Sequence, residues 1–199
     1  INGALELEGS HVDSNSATGN GGGIYVSGTL GLNLSSIDGN SSEDNGGGLY
    51  VSGDLSTDSS SVSYNVSTNK GGGIYGNGTI DHTFSELNDN TSGSDGGGIW
   101  WGSGQVTVER SDIRRNNANR GGGVFILAEN PIFQFDVVAL NDATTIGGGM
   151  YISKASDVSS TPILFNSTVV YNTSSVLGSG LLCTNQTNPV VQNSIFWGN

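Results

Sequence analysis

Gly21-Gly22-Gly23-Ile24-Tyr25 returns as Gly46-Gly47-Gly48-Leu49-Tyr50, Gly71-Gly72-Gly73-Ile74-Tyr75 and Gly96-Gly97-Gly98-Ile99-Trp100. Gly121–Gly123 with Val124 and Phe125, then Gly147–Gly149 with Met150 and Tyr151, continue the series, and Gly178-Ser179-Gly180 is a degenerate copy. The step is 25 residues, except for 26 into Gly147 and 31 into Gly178. Self-similarity at a fixed period of ~20–50 residues is the mark of a solenoid or a propeller. More of the unit travels with the glycines. Nine residues before a triplet stands an aliphatic (Val12, Ile37, Val62, Leu87, Val138), and six before stands an asparagine (Asn15, Asn40, Asn65, Asn90, Asn141). Ile113 with Asn116, and Val169 with Asn172, keep the same mutual spacing.

Between these landmarks apolar residues alternate, as in Leu30, Leu32 and Leu34 or Val106 and Val108, and Gly, Asn, Asp or Ser interrupts every few residues. Period-two alternation broken this often is strand-and-turn chemistry. No window holds the 3.6-residue period of a helix. Each unit reads as three short strands and three turns, one coil of a parallel β-helix. Propeller blades need about 40 residues. One coil cannot bury its own apolar face, so coils stack into a quasi-one-dimensional domain. The expectation is an all-β, single-stranded parallel β-helix over 1–199, with about eight coils.

Composition narrows the function. Glycine supplies 33 of the 199 residues, and net charge is −12. Six basic residues against 18 acidic ones repel phosphate, which excludes a nucleic-acid partner. No run of about 20 apolar residues exists to insert in a membrane. One cysteine, Cys183, rules out an internal disulfide framework; it stands where other copies carry an aliphatic and reads as a buried small hydrophobe.

The Gly-Gly-Gly-Ile-Tyr runs and the Val/Ile/Leu-x-x-Asn runs, such as Ile37-Asp38-Gly39-Asn40, resemble the repeats of polymorphic-membrane-protein autotransporter passengers. Those carry Gly-Gly-Ala followed by an aliphatic, and Phe-x-x-Asn. More broadly the chain resembles right-handed parallel β-helix proteins of the pectin-lyase-like superfamily. The first resemblance implies a surface-exposed, adhesive rod; the second admits polysaccharide lyases and hydrolases. The expected location is extracellular or at the cell surface. Strand edges at the ends of a bare β-helix invite pairing, so the chain reads as part of a longer protein, or as a unit that stacks end to end in a filament.

Tyr25, Tyr50, Tyr75, Trp100, Phe125 and Tyr151 are the leading candidates for binding. Alternation sets Ile24 and Val26 on one face and Tyr25 on the other. With the aliphatics inside, six rings form an outer column that could stack on glycans or on a second copy. The other reading hides the column under the turns. The asparagines read as staples, their amides bonding from coil to coil. Among the Asn-x-Ser/Thr sequons, Asn40, Asn65, Asn90 and Asn172 are ladder positions; Asn33, Asn77, Asn166 and Asn185 are the better glycosylation acceptors.

A carbohydrate-active enzyme is the competing reading. Arg110, Arg114, Arg115 and Arg120 cluster with Glu109 and Asp112, and Asp13 and Asp38 fall at equivalent coil positions. A compensated charged face explains the same residues. Loops built for a cleft are expected only at 128–131 and 153–162. No catalytic residue and no resident metal are assigned. Calcium is the one ion the acidic surface admits, without a β-roll motif behind it, and His11 and His82 have no Ser or Cys partner at motif spacing.

Overall fold

A computed structural model describes residues 1–154 and 159–199; part of the expected 153–162 loop therefore lies outside the described residues. The described chain is a stack of parallel coils, each built from very short strands. Every strand pairs in parallel with its equivalent in the next coil. Four sheets result. One runs from Leu5–Glu8 through Leu30–Asn33 to Val190–Gln192, and the next from His11–Asp13 to Ile195–Trp197. A third starts at Ser16–Ala17 and a fourth at Ile24–Val26.

The coil thus has four strands where the sequence suggests three. The additional strand is a two-residue step such as Ser41–Ser42 or Val66–Ser67. Ser42, Ser67, Ala118 and Ala143 are its inward residues. These small, partly polar side chains give no apolar alternation to read.

Register is strict. Ile24 sits beside Leu49, Leu49 beside Ile74 and Ile74 beside Ile99. Leu30, Ile37, Val62, Leu87, Val108 and Ile113 join them in one continuous core. Size is balanced between neighbours. Trp101 is fully buried where other coils carry Val51 or Ile126, and its neighbour in the coil before is Gly76. A Cβ on Gly76 would run into the Trp101 ring. The indole N–H donates to the Gly78 carbonyl at 3.0 Å, which satisfies the one polar atom of that side chain.

Each triplet glycine answers a different demand. Gly46 has φ +69°, a region costly for residues with a Cβ. At Gly47 a Cβ would collide with the carbonyls of Gly72 and Val66 in the next coil. At Gly48 it would press on the Asn65 amide. The third glycine therefore makes room for the asparagine column.

That column is a hydrogen-bonded ladder. The Asn40 amide N–H and its Nδ2 donate to Asn65 Oδ1 at 2.9 and 3.1 Å, and Nδ2 also donates to the Val12 carbonyl at 2.8 Å. Asn65, Asn90, Asn116 and Asn141 repeat the arrangement. The left-handed backbone falls on the residue before each asparagine (Ser14, Tyr64, Asp89, Arg115, Leu140, Tyr171), not on the asparagine itself. A second left-handed corner holds Leu34, Ser59, Phe84, Arg110, Phe135 and Asn166. None of these residues is β-branched, as sterics at positive φ require.

Candidate functional site

Outward alternation in the fourth sheet builds the aromatic column. Tyr25 stacks on Tyr50 with centroids 4.8 Å apart, Tyr50 on Tyr75 at 5.0 Å, and Tyr75 on Trp100 at 4.5 Å. Trp100 to Phe125 is 6.4 Å and Phe125 to Tyr151 is 4.5 Å. Interplanar angles stay between 3° and 13°. The coil spacing of ~4.8 Å imposes this face-on geometry.

The column is open on some coils and closed on others. Tyr25 is 44% exposed, Tyr50, Tyr75 and Tyr151 are half-buried, and Trp100 and Phe125 are buried at 7% and 4%. The uniformly exposed stripe is thus corrected for Trp100 and Phe125. Lys70 Nζ lies 4.6 Å from the Trp100 ring centroid, and the Arg120 guanidinium 5.1 Å from that of Phe125. Both cations stand directly before a glycine triplet, Lys70 in a bend and Arg120 at the end of the strand Asn117–Arg120. Two hydrogen bonds to Asp95, at 2.7 and 2.9 Å, hold Arg120 there. Burial, then the neighbouring tyrosine, pushes the phenols of Tyr50 and Tyr75 up from 10. Both hydroxyls are neutral donors at physiological pH. The open part of the column is an apolar stack edged by phenol hydroxyls.

The arginines are compensated. Arg110 pairs with Glu109, Arg114 with Asp112, Arg115 with Asp89 and Arg120 with Asp95. Asp13 and Asp38 are register partners, as their spacing suggested. Asp38 Oδ1 accepts from the Ser63 amide at 3.1 Å.

Stacking gives both histidines partners that motif spacing hid. His11 Nδ1 lies 2.6 Å from Ser36 Oγ on the surface. His82 Nδ1 lies 2.6 Å from Thr57 Oγ1 in the interior, and burial brings its pKa down to about 4. Cys183 is half-buried against the core. Of the sequon asparagines, Asn33 and Asn185 are exposed and Asn77 and Asn166 half-buried, whereas Asn40, Asn65, Asn90 and Asn172 are inside the ladder. Sequence reasoning missed a serine column and its exception, Asp136. The signal was present: two residues before each aliphatic of the Val-x-x-Asn run stands Ser10, Ser35, Ser60, Ser85, Ser111 or Ser167, but Asp136 before Val138.

Residues 10–27 match the family described as the Chlamydia polymorphic membrane protein (Chlamydia_PMP) repeat. The matched stretch holds both halves of the unit, Val12-x-x-Asn15 and Gly21-Gly22-Gly23-Ile24-Tyr25. No curated protein and no solved structure matches the chain. The chain is a parallel β-helix whose repeats are similar to those of Chlamydia polymorphic membrane proteins.

Proposed function

We infer that this chain is a non-catalytic, extracellular or surface-held rod that works by display. Its recognition surface is the outer edge of the aromatic column along Tyr25, Tyr50 and Tyr75. The partners are extracellular glycans or cell surfaces, with end-to-end or lateral contact between copies as a second use of the same repetitive faces. One observation carries this reading: ring stacks on ring at 4.5 to 6.4 Å over six coils, yet the interior rungs Tyr50 and Tyr75 stay only half-buried, with an outer edge in solvent. A column serving the core alone would be closed at every coil, as it is at Trp100 and Phe125. The similarity to a surface-protein repeat supports the same placement.

The carbohydrate-active enzyme is the weaker reading. Its candidate cations Arg110, Arg114, Arg115 and Arg120 each sit on a carboxylate. A polysaccharide panel scored for both retention and cleavage separates the two. Retention without cleavage, weakened by Tyr25→Ser, supports display; cleavage of any member refutes it.

A further inference from the structure

The corner that follows the first sheet carries a second side-chain column, with one gap in it. Leu34, Ser59, Phe84, Arg110 and Phe135 occupy equivalent positions on successive coils, because the residues before them are register partners. All five have φ between 48° and 61°, which turns the side chains outward. The upper part is closed: the Arg110 guanidinium lies 5.4 Å from the Phe84 centroid and 4.8 Å from that of Phe135. Arg110 thus covers one face of Phe84. The opposite face looks down the stack toward Ser59, whose short side chain fills nothing.

Below Ser59 stands Leu34. Leu34 and Phe84 remain 62% and 58% exposed. Two coil steps separate them, roughly 10 Å. A ring at the level of Ser59 stacks ~5 Å from each, within the ordinary range for ring contacts. The notch has a volume of about 270 Å³, just under the ~300 Å³ where ligand pockets begin, so it takes one ring.

Its rim is polar. His11, Ser36, Ser61 and Glu86 form one outward row across four coils, since each is the register partner of the next. Ser59 and Ser60 add hydroxyls at the floor. Donors, acceptors and a carboxylate around a slot walled by a phenyl face and a leucine match a pyranose: apolar C–H faces, hydroxyls on the edge.

We propose that the notch between Leu34 and Phe84, centred on Ser59, is a binding subsite for one pyranose residue of a glycan. It lies on a different corner from the aromatic column and does not depend on that column binding anything.

The test is a titration of the isotopically labelled chain with methyl glucoside, methyl galactoside, methyl mannoside and methyl N-acetylglucosaminide, read by amide chemical shifts. At least one pyranoside shifts the Ser59, Ser60 and Phe84 amides, with a Kd on the order of millimolar. Phe84→Ala removes a wall, and Ser59→Phe fills the slot with a residue this corner already accepts at Phe84 and Phe135. Both weaken binding at least tenfold, while Val176→Ser, at an exposed position away from both columns, leaves it unchanged. Melting curves confirm that each variant is folded. The proposal is overturned if no pyranoside shifts these amides at about ten millimolar, if the response survives Ser59→Phe, or if only indole, run in parallel, produces it.

Discussion

The backbone amide of Ser111 donates to Oδ1 of Asp136 at 2.9 Å, in a column where every neighbouring coil offers a serine hydroxyl instead. Ser35, Ser60 and Ser85 donate their amides to the hydroxyls of Ser60, Ser85 and Ser111 at 3.1 to 3.2 Å. Those hydroxyls then give their hydrogen to a carbonyl two residues back, as Ser111 does to Glu109 at 3.0 Å and Ser167 to Phe165 at 3.0 Å. An ionised carboxylate can accept like serine but has no hydrogen to give. Asp136 is 1% exposed, and its Oδ2 is buried without a partner.

Burial, reinforced by the charge of Asp112, raises the Asp136 carboxyl to about 7; the amide of Ser111 acts the other way. The folded pKa stands above the unfolded value of ~3.9. The neutral acid is therefore the form that the fold prefers. Its stabilising contribution is complete below about pH 4 and fades as pH rises toward 7. Asp136→Ser restores the column and removes this dependence. Thermal unfolding from about pH 5 to about pH 9 checks it: the wild type should lose stability relative to the variant by a few kcal/mol, on the order of 1.4 per unit of pKa difference. Parallel curves would show that Asp136 ionises freely in the folded chain.

The asparagine ladder should be the most demanding polar element. Asn90 Oδ1 accepts from the Asn65 amide and Nδ2 at 3.0 Å each, and its own Nδ2 donates to the Val62 carbonyl at 2.8 Å. Asn90→Ala strands these groups in a dry interior, each at a cost of ~1–3 kcal/mol. Denaturant unfolding should show a loss of about 3 kcal/mol or more. A loss near ~0.5 kcal/mol would mean that water replaces the staple.

Two arginine pairs with the same geometry should differ in strength. Arg115 holds Asp89 at 2.8 and 2.9 Å, and Arg120 holds Asp95 at 2.7 and 2.9 Å. The Asp89 side chain is 22% exposed, whereas that of Asp95 is 3% exposed. Removing the partner of a buried carboxylate costs ~3–5 kcal/mol, against ~0–1 for an exposed pair. Arg120→Ala should therefore destabilise far more than Arg115→Ala in the same melting assay, and it also uncovers Phe125. Equal effects would contradict the burial of Asp95.

Gly76 and Trp101 should behave as one unit. Gly76→Val alone drives a side chain into the indole and should cost more than about 2 kcal/mol. Combined with Trp101→Val it recreates the Val26–Val51 pairing seen in earlier coils, so a double-mutant cycle should show strong positive coupling. Additive losses would mean that the two sites relax independently.

The repeat was legible because periodic glycines and aliphatics leave their spacing in the sequence, and that spacing became the register of Ile24, Leu49, Ile74 and Ile99. The asparagine staples were legible for the same reason. What alternation cannot express was missed: the two-residue strands with serine inside, the left-handed corners that accept Leu34, Tyr64 and Phe84, and the packing of Gly76 against Trp101. For the candidate site, the ring column could be read residue by residue. Its partial closure could not, because Lys70 and Arg120 reach over the rings from the residues just before the glycine triplets, whose side-chain direction no periodicity records.

The central claim is that the outer edge of the ring column is a recognition surface and not merely packing. Its most direct test measures capture of the whole chain by glycan-coated and cell surfaces for the wild type and for a Tyr25→Ser, Tyr50→Ser double variant, with melting temperature recorded beside it. The account expects capture to fall at least tenfold while the fold persists, since Tyr25 is exposed and Tyr50 only half-buried. Undiminished capture by a folded double variant would contradict it.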